Sequence, residues 1–115
     1  MSFNLIIIKQ SPYQGRQSHE ILEAIMSLAL FDIDHRVVFF EQGISWLFAQ
    51  QAPKEQKSLE KQLSALPLYG SEALFYCQEH QTLLFPDQPL QQSVQPLALQ
   101  DLALWCQQAD HVEVF

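Results

Sequence analysis

Cys77 is the residue of this sequence best suited to sulfur chemistry, because it ends an apolar run that predicts a strand. In an open α/β sheet, ligands gather at the carboxyl ends of the strands, where helix N-termini lower a thiol pKa. An exposed thiolate there would attack sulfane sulfur and hold it as a persulfide. The alternative interpretation is a small buried hydrophobe. His80, three residues on, either lies near the thiol and alters its pKa or is an exposed loop residue.

A second candidate site is the loop that follows the first predicted strand. Ser11, Pro12 and Gly15 would place a hydroxyl and a flexible turn at the sheet edge, where flavodoxin-like loops hold phosphate. The sequence has three glycines, and their spacing supplies neither a P-loop nor a dinucleotide-binding motif. A response-regulator receiver is also excluded, because Lys9 and Gln10 stand where acidic residues are needed.

A third group of residues predicts a protein interface. Trp46, Leu47 and Phe48 follow Gly43 as three large apolar side chains, and Tyr69 closes a later helical segment. Such clusters belong more often to a core or a subunit interface than to a cofactor site. If the chain is a subunit of a larger complex, these four side chains should be partly exposed in the isolated chain and buried by its partners; in a core they would be fully packed.

Cysteine, histidine and charge patterns argue against several other functions. The two cysteines are 29 positions apart and the four histidines lack metal-ligand spacing, so we predict no metal site and no cofactor. The net charge of −7 disfavours direct contact with nucleic acid. No apolar run reaches the roughly 18 residues of a membrane span, and the first residues do not resemble a signal peptide. We therefore expect a cytoplasmic protein.

Hydrophobic periodicity predicts alternating strands and helices along the chain. The predicted strands are residues 3–8, 36–40, 73–77, a short fourth strand at 83–85 or 93–95, and 112–115. The predicted helices are residues 18–31, a short helix at 44–48, 54–66 and 96–107. The inward face predicted for the last helix consists of Leu99, Leu102, Ala103 and Cys106.

Strands separated by helices predict βαβ units with right-handed crossovers. We therefore expect an α/β fold, with residues 1–115 in a single three-layer domain. Its mostly parallel five-stranded sheet would carry helices on both faces, in a flavodoxin-like arrangement.

Several short segments follow one another in an order typical of a known family. After the first strand, Ser11, Pro12 and Gly15 lie close to a Ser-x-Pro-x-x-Gly pattern, and residues 37–44 are similar to a V-F-F-x-x-G-V segment. Residues 66–70 resemble an L-x-L-Y-D segment, and residues 109–115 a terminal helix and strand. In this order the segments resemble the DsrE/DsrF-like family, specifically its DsrF/TusC branch, over nearly the whole chain.

The resemblance implies a subunit of a sulfur-relay complex. Proteins of this branch assemble with TusB-like and TusD-like subunits into a heterohexamer, which passes persulfide sulfur to a TusE/DsrC-like carrier. The sulfur serves 2-thiolation of the tRNA wobble uridine, or sulfur oxidation in some organisms. The sulfur-carrying cysteine belongs chiefly to the TusD/DsrE subunit, and Cys77 falls at the matching place. Residues 78–82 differ from the small-residue helix that follows that cysteine in TusD-like chains.

Three functional hypotheses follow. The first is a mainly structural subunit of the relay complex, which needs an apolar surface for its partners and could form a homo-oligomer when isolated. The second is a persulfide carrier that acts through Cys77. The third is a stand-alone flavodoxin-like small-molecule binder that uses the loop of Ser11, Pro12 and Gly15.

Overall fold

The structure, a computed structural model, describes residues 3–10, 17–47, 73–87 and 94–115. The strands are β1 (Asn4–Ile8), β2 (His35–Phe39), β3 (Leu74–Cys77), β4 (Gln95–Leu97) and β5 (His111–Val114). The α-helices are α1 (Gln17–Leu30), α2 (Gln78–Leu84) and α3 (Leu99–Gln108), and a 3-10 helix spans Glu41–Leu47. The helix predicted at residues 54–66 lies outside the described residues.

The five strands of the described residues run parallel in one sheet, in the order β4-β3-β2-β1-β5. β1 lies inside the sheet, with Ile6 aligned to Val37 on one side and to Glu113 on the other. The side chains from Leu5 to Ile8 are all buried, which explains why β1 is a continuous apolar run rather than an alternating one. The predicted α/β fold with a parallel five-stranded sheet is confirmed.

Helices cover the two faces of the sheet and create a separate core on each. On the face called here the α1 face, Ile21 and Ile25 of α1 pack in one cluster with Ile6. On the opposite face, the α3 face, Leu102 of α3 packs in a second cluster with Leu5. Strands β1 to β4 are added to the sheet one after another in the same direction. The connection after β4 runs back across the sheet and places β5 on the other side of β1. Right-handed crossovers therefore place α3 opposite α1, in the three layers that were predicted.

The region between β3 and α3 differs from the prediction. The strand proposed at residues 83–85 is wrong, because Leu83 and Leu84 belong to α2. The fourth strand is Gln95–Leu97, close to the other predicted position. Pro96 lies in β4, an edge strand of the described sheet, where proline is tolerated. As a result α3 begins at Leu99 and not at residue 96.

The inward face of α3 also differs from the prediction. Leu102 is buried as expected, but the other three residues of the predicted face are exposed: Leu99, Ala103 and Cys106. Trp105 faces the sheet in their place, with its ring edge-on to Phe75 at 4.9 Å and to Phe3 at 6.5 Å between centroids. These aromatic contacts fix the rotation of the helix about its axis.

Arg36 extends this aromatic cluster at the start of β2. Its guanidinium carbon lies 3.9 Å from the ring centre of Phe3 and 4.5 Å from that of Trp105. A cation over aromatic faces is attracted by the ring quadrupoles, so Arg36 helps to hold β1, β2 and α3 together.

The helices of the described residues are all too short or too polar to cross a lipid bilayer.

Candidate functional site

Cys77 occupies the position in the fold that the sequence predicted. It is the last residue of β3 and is aligned with Leu97 of β4, so it lies at the carboxyl edge of the sheet. It is a free cysteine with only 1% of its surface exposed. Of the two interpretations that the sequence leaves open for Cys77, this burial agrees with the small buried hydrophobe and not with the exposed thiol.

The surroundings of the Cys77 sulfur oppose its ionisation. Burial raises the pKa of the thiol above its usual 9.0, because a thiolate loses hydration there, and the Glu79 carboxylate raises that pKa further. Backbone hydrogen bonds from His80 and Glu79 lower the pKa, but they do not offset burial. At neutral pH the sulfur is a protonated thiol, a poor nucleophile. This environment favours the buried-hydrophobe interpretation.

Glu79 connects α2 to the start of α3. Both of its carboxylate oxygens lie 3.0 Å from the backbone nitrogen of Leu99, which donates to them. Leu99 is the first residue of α3, whose cap residue Ala98 has no side-chain cap of its own. A carboxylate at this position satisfies an unpaired N–H and complements the helix dipole. Sequence reasoning missed this contact, because its partners are 20 positions apart.

His80, like Glu79, accepts a hydrogen bond from a backbone N–H of another element, here the 3-10 helix. The backbone N–H of Glu41 donates to Nδ1 of His80 at 3.2 Å, and the imidazole lies 4.3 Å from the ring of Phe40. The hydrogen bond assigns the ring proton to Nε2 in the neutral form. His80 lies in a helix and not in a loop, and its side chain is engaged with this backbone and this ring. Its backbone N–H, rather than its imidazole, acts on the Cys77 thiol.

The 3-10 helix begins at Glu41, three residues before the short helix that was predicted, and packs closely on β1. A Cβ on Gly43 would lie 1.9 Å from the carbonyl oxygen of Ile8, so only glycine fits here. Trp46 Nε1 donates to the carbonyl oxygen of Gln10 at 2.8 Å. The 3-10 helix thus fixes the backbone on both sides of Lys9, just beyond the carboxyl end of β1.

This packing overturns part of the predicted interface. Trp46 is 2% exposed and Leu47 is 0% exposed, so neither is available to a partner. Both belong to the core on the α1 face, because the approach of Gly43 to Ile8 brings their side chains against the sheet. The other two predicted interface residues, Phe48 and Tyr69, lie outside the described residues.

The remaining predicted site also lies outside the described part of the chain. Ser11, Pro12 and Gly15 fall between Gln10 and α1, where the structure describes no residue. Within residues 3–10, 17–47, 73–87 and 94–115, no three His, Cys, Asp or Glu side chains are grouped so that they could hold a metal ion.

Comparison with known proteins identifies the family. The model of the DsrE/DsrF-like family matches residues 4–115, which include every described strand and helix. The chain belongs to the DsrE/DsrF-like family. This membership agrees with the resemblance seen in the sequence, and it gives the glycine of the V-F-F-x-x-G-V segment a structural reason in the contact of Gly43 with Ile8.

Two of the proteins similar to this DsrE/DsrF-like chain show how far the likeness extends. A protein TusC homolog of Pseudomonas aeruginosa is 34% identical over 73 residues, which are 62% of this chain and 61% of the relative's length. That likeness supports the DsrF/TusC branch of the family. The crystal structure of the ychN protein from E. coli covers 100% of both chains with a TM-score of 0.82 at 21% identity, which shows the shared fold.

Proposed function

We propose that this chain is a TusC/DsrF-like subunit of a sulfur-relay complex and that its role there is mainly structural. Family membership and the likeness to a TusC homolog support the complex. The burial of Cys77 supports a structural role. A sulfur-transfer cysteine needs an accessible thiolate, whereas the Cys77 thiol is buried and its pKa is raised.

The proposed partners are TusB-like and TusD-like subunits, which would complete a heterohexamer in the cytoplasm. A TusD-like subunit would supply the sulfur-carrying cysteine, and a TusE/DsrC-like protein would take the sulfur onward for 2-thiolation of tRNA wobble uridine. The net charge of −7 fits an indirect role, in which the carrier rather than this chain approaches the tRNA.

Purification of the tagged chain from its own cells tests this proposal. We expect two small homologous proteins to co-purify in equal amounts, with a native mass that fits two copies of each subunit. The control is a tagged chain expressed where those genes are deleted. A chain that is recovered without homologous partners would contradict the proposal.

The alternative function is persulfide transport by Cys77 itself, which its place at the sheet edge and the two backbone hydrogen bonds to its sulfur favour. In this reaction the Cys77 thiolate attacks the outer sulfur of a donor persulfide. A new S–S bond forms, the donor S–S bond breaks, and the donor leaves as a thiol.

Mass spectrometry after incubation with a persulfide donor distinguishes the two roles. For a structural subunit, we expect any added sulfur to be lost in Cys106→Ser, because Cys106 is the exposed thiol. Addition that persists in Cys106→Ser and disappears in Cys77→Ser would establish the carrier and reject the purely structural role.

A further inference from the structure

β5 forms one edge of the described sheet, and half of its backbone groups point away from that sheet. It pairs with β1, where Phe115 N–H donates to Ile7 and the Phe115 carbonyl accepts from Lys9, both at 2.8 Å. Along a strand, the N–H and C=O groups of one residue point to one side and those of the next residue point to the other side. The N–H and C=O groups of Val112 and Val114 therefore point outward.

The side chains of β5 divide into an apolar pair and a polar pair. Val112 and Val114 align with Leu5 and Ile7, so they lie on the α3 face, but they are 36% and 53% exposed. His111 and Glu113 lie on the α1 face, with side chains 65% and 56% exposed and their nearest atoms 4.0 Å apart. Every residue of the strand is exposed, so no helix or strand of the described residues fully covers either face of β5.

An edge of this kind can bind another strand. Outward N–H and C=O groups provide the ladder, and exposed valines provide the apolar contact. Folded proteins commonly protect such edges with lysine or proline, and His111–Val114 contains neither.

The order of polar side chains along β5 makes this strand complementary to β5 of a second copy. In an antiparallel pair with Val112 of each copy opposite the other, Glu113 faces the partner's His111, and His111 faces the partner's Glu113. Both Val112 residues then exchange backbone hydrogen bonds, because both point outward. A pairing centred on Glu113 would instead place two carboxylates directly opposite each other, which is destabilising.

We propose that β5 pairs antiparallel with β5 of a second copy of this chain, centred on Val112, and joins two sheets into one. The proposal is independent of the proposed function, because it concerns the isolated chain. It also uses a surface separate from Trp46 and Leu47, which are buried within one copy.

The experiment is sedimentation equilibrium of the purified chain over a concentration series, with reductant present to prevent disulfides through the exposed Cys106. We expect a reversible monomer–dimer equilibrium. Val112→Lys should abolish the dimer, because it sets two ammonium groups opposite each other. The matched control is Leu83→Lys, which changes a side chain 77% exposed on α2 and should leave dimerisation unchanged.

A charge exchange tests the pairing register. His111→Glu creates two carboxylate pairs across the dimer and should weaken it about tenfold. Adding Glu113→His to that variant restores opposite partners and should return the affinity to within about threefold of the original. Circular dichroism checks that each variant is folded. A monomer at every concentration, or a dimer that both Val112→Lys and His111→Glu leave unchanged, would overturn the proposal.

Discussion

Gly43 shows how a single residue fixes the carboxyl edge of the sheet. An alanine Cβ at this position would lie 1.9 Å from the Ile8 carbonyl oxygen, which accepts a hydrogen bond from Phe40 N–H at 2.8 Å. The carbonyl cannot move aside without losing that bond. We predict that Gly43→Ala lowers the free energy of unfolding by about 3 kcal/mol, measured by urea denaturation.

Gln42→Ala is the control for this prediction, since Gln42 is an exposed neighbour in the same 3-10 helix. It should change the free energy of unfolding by less than about 0.5 kcal/mol. Equal stability of Gly43→Ala and the natural protein would show that the 3-10 helix does not need its close contact with β1.

Glu79 affects the chemistry of Cys77 through its charge. Its carboxylate raises the pKa of the Cys77 thiol, so Glu79→Gln should lower that pKa while the amide oxygen still accepts from Leu99 N–H. In a Cys106→Ser background, we predict that Cys77 reacts about two to five times faster with a disulfide reagent. The measurement is the labelling rate as a function of pH.

The pH profile separates this charge effect from loosening of α2. A lower thiol pKa moves the midpoint of the profile to lower pH, whereas a loosened helix raises the rate at every pH. Thr82→Ala, at an exposed position of the same helix, should do neither. A midpoint that Glu79→Gln leaves in place would contradict the electrostatic effect.

At the scale of elements, the C-terminus of α1 depends on a residue in an unfavourable conformation. Asp32 has a φ of 54°, and Asp32 N–H and Ile33 N–H donate to Ala29 and Leu28 in a Schellman arrangement. Glycine adopts this conformation without strain. We predict that Asp32→Gly raises the free energy of unfolding by about 0.5 kcal/mol and that Asp32→Val lowers it by about 1 kcal/mol, measured by thermal unfolding. The reverse order would contradict this account.

Elements whose signal is local were predicted from the sequence, and elements that depend on distant contacts were not. β1 is a buried apolar run and α1 shows helical periodicity, so both were recognised. α2 buries none of its residues and therefore has no periodicity to detect. It is held in part by the contacts of Glu79 and His80 to backbone on other elements, which sequence spacing does not reveal.

In the candidate site, too, local features were predicted from the sequence and tertiary contacts were not. The position of Cys77 at the end of a strand follows from the apolar pattern, so it was predictable. The burial of its side chain was not, because burial depends on tertiary contacts that the strand's own residues do not specify. Trp46 was misassigned for a related reason: a cluster of large apolar residues has the same sequence pattern in a core as in an interface.

At the scale of the whole molecule, three side chains hold the carboxyl edge of the sheet through backbone groups. Trp46 binds Gln10 after β1, His80 binds Glu41 after β2, and Glu79 binds Leu99 after β4. Each contact satisfies a backbone group where a strand has ended. Two of them, those of His80 and Glu79, hold the helix that directly follows Cys77, whose side chain is buried.

The two cores share one sheet, so they should unfold together. Trp46 belongs to the core on the α1 face and Trp105 packs against the other, which allows each face to be monitored separately. In a Trp105→Phe background, we predict that Leu102→Ala on the α3 face lowers stability by about 2–3 kcal/mol. Trp46 fluorescence should report the same urea midpoint as circular dichroism, because β1 and β2 contribute side chains to both cores.

Leu104→Ala is the matched control, since Leu104 lies on the same helix but is 51% exposed. It should shift the midpoint only slightly, by less than about 0.5 kcal/mol in stability. If Leu102→Ala moved the circular dichroism transition but left the Trp46 transition in place, the two faces would be separate folding units. Because a parallel sheet gains stability from burial on both faces, loss of one core should instead expose the shared strands and unfold the other.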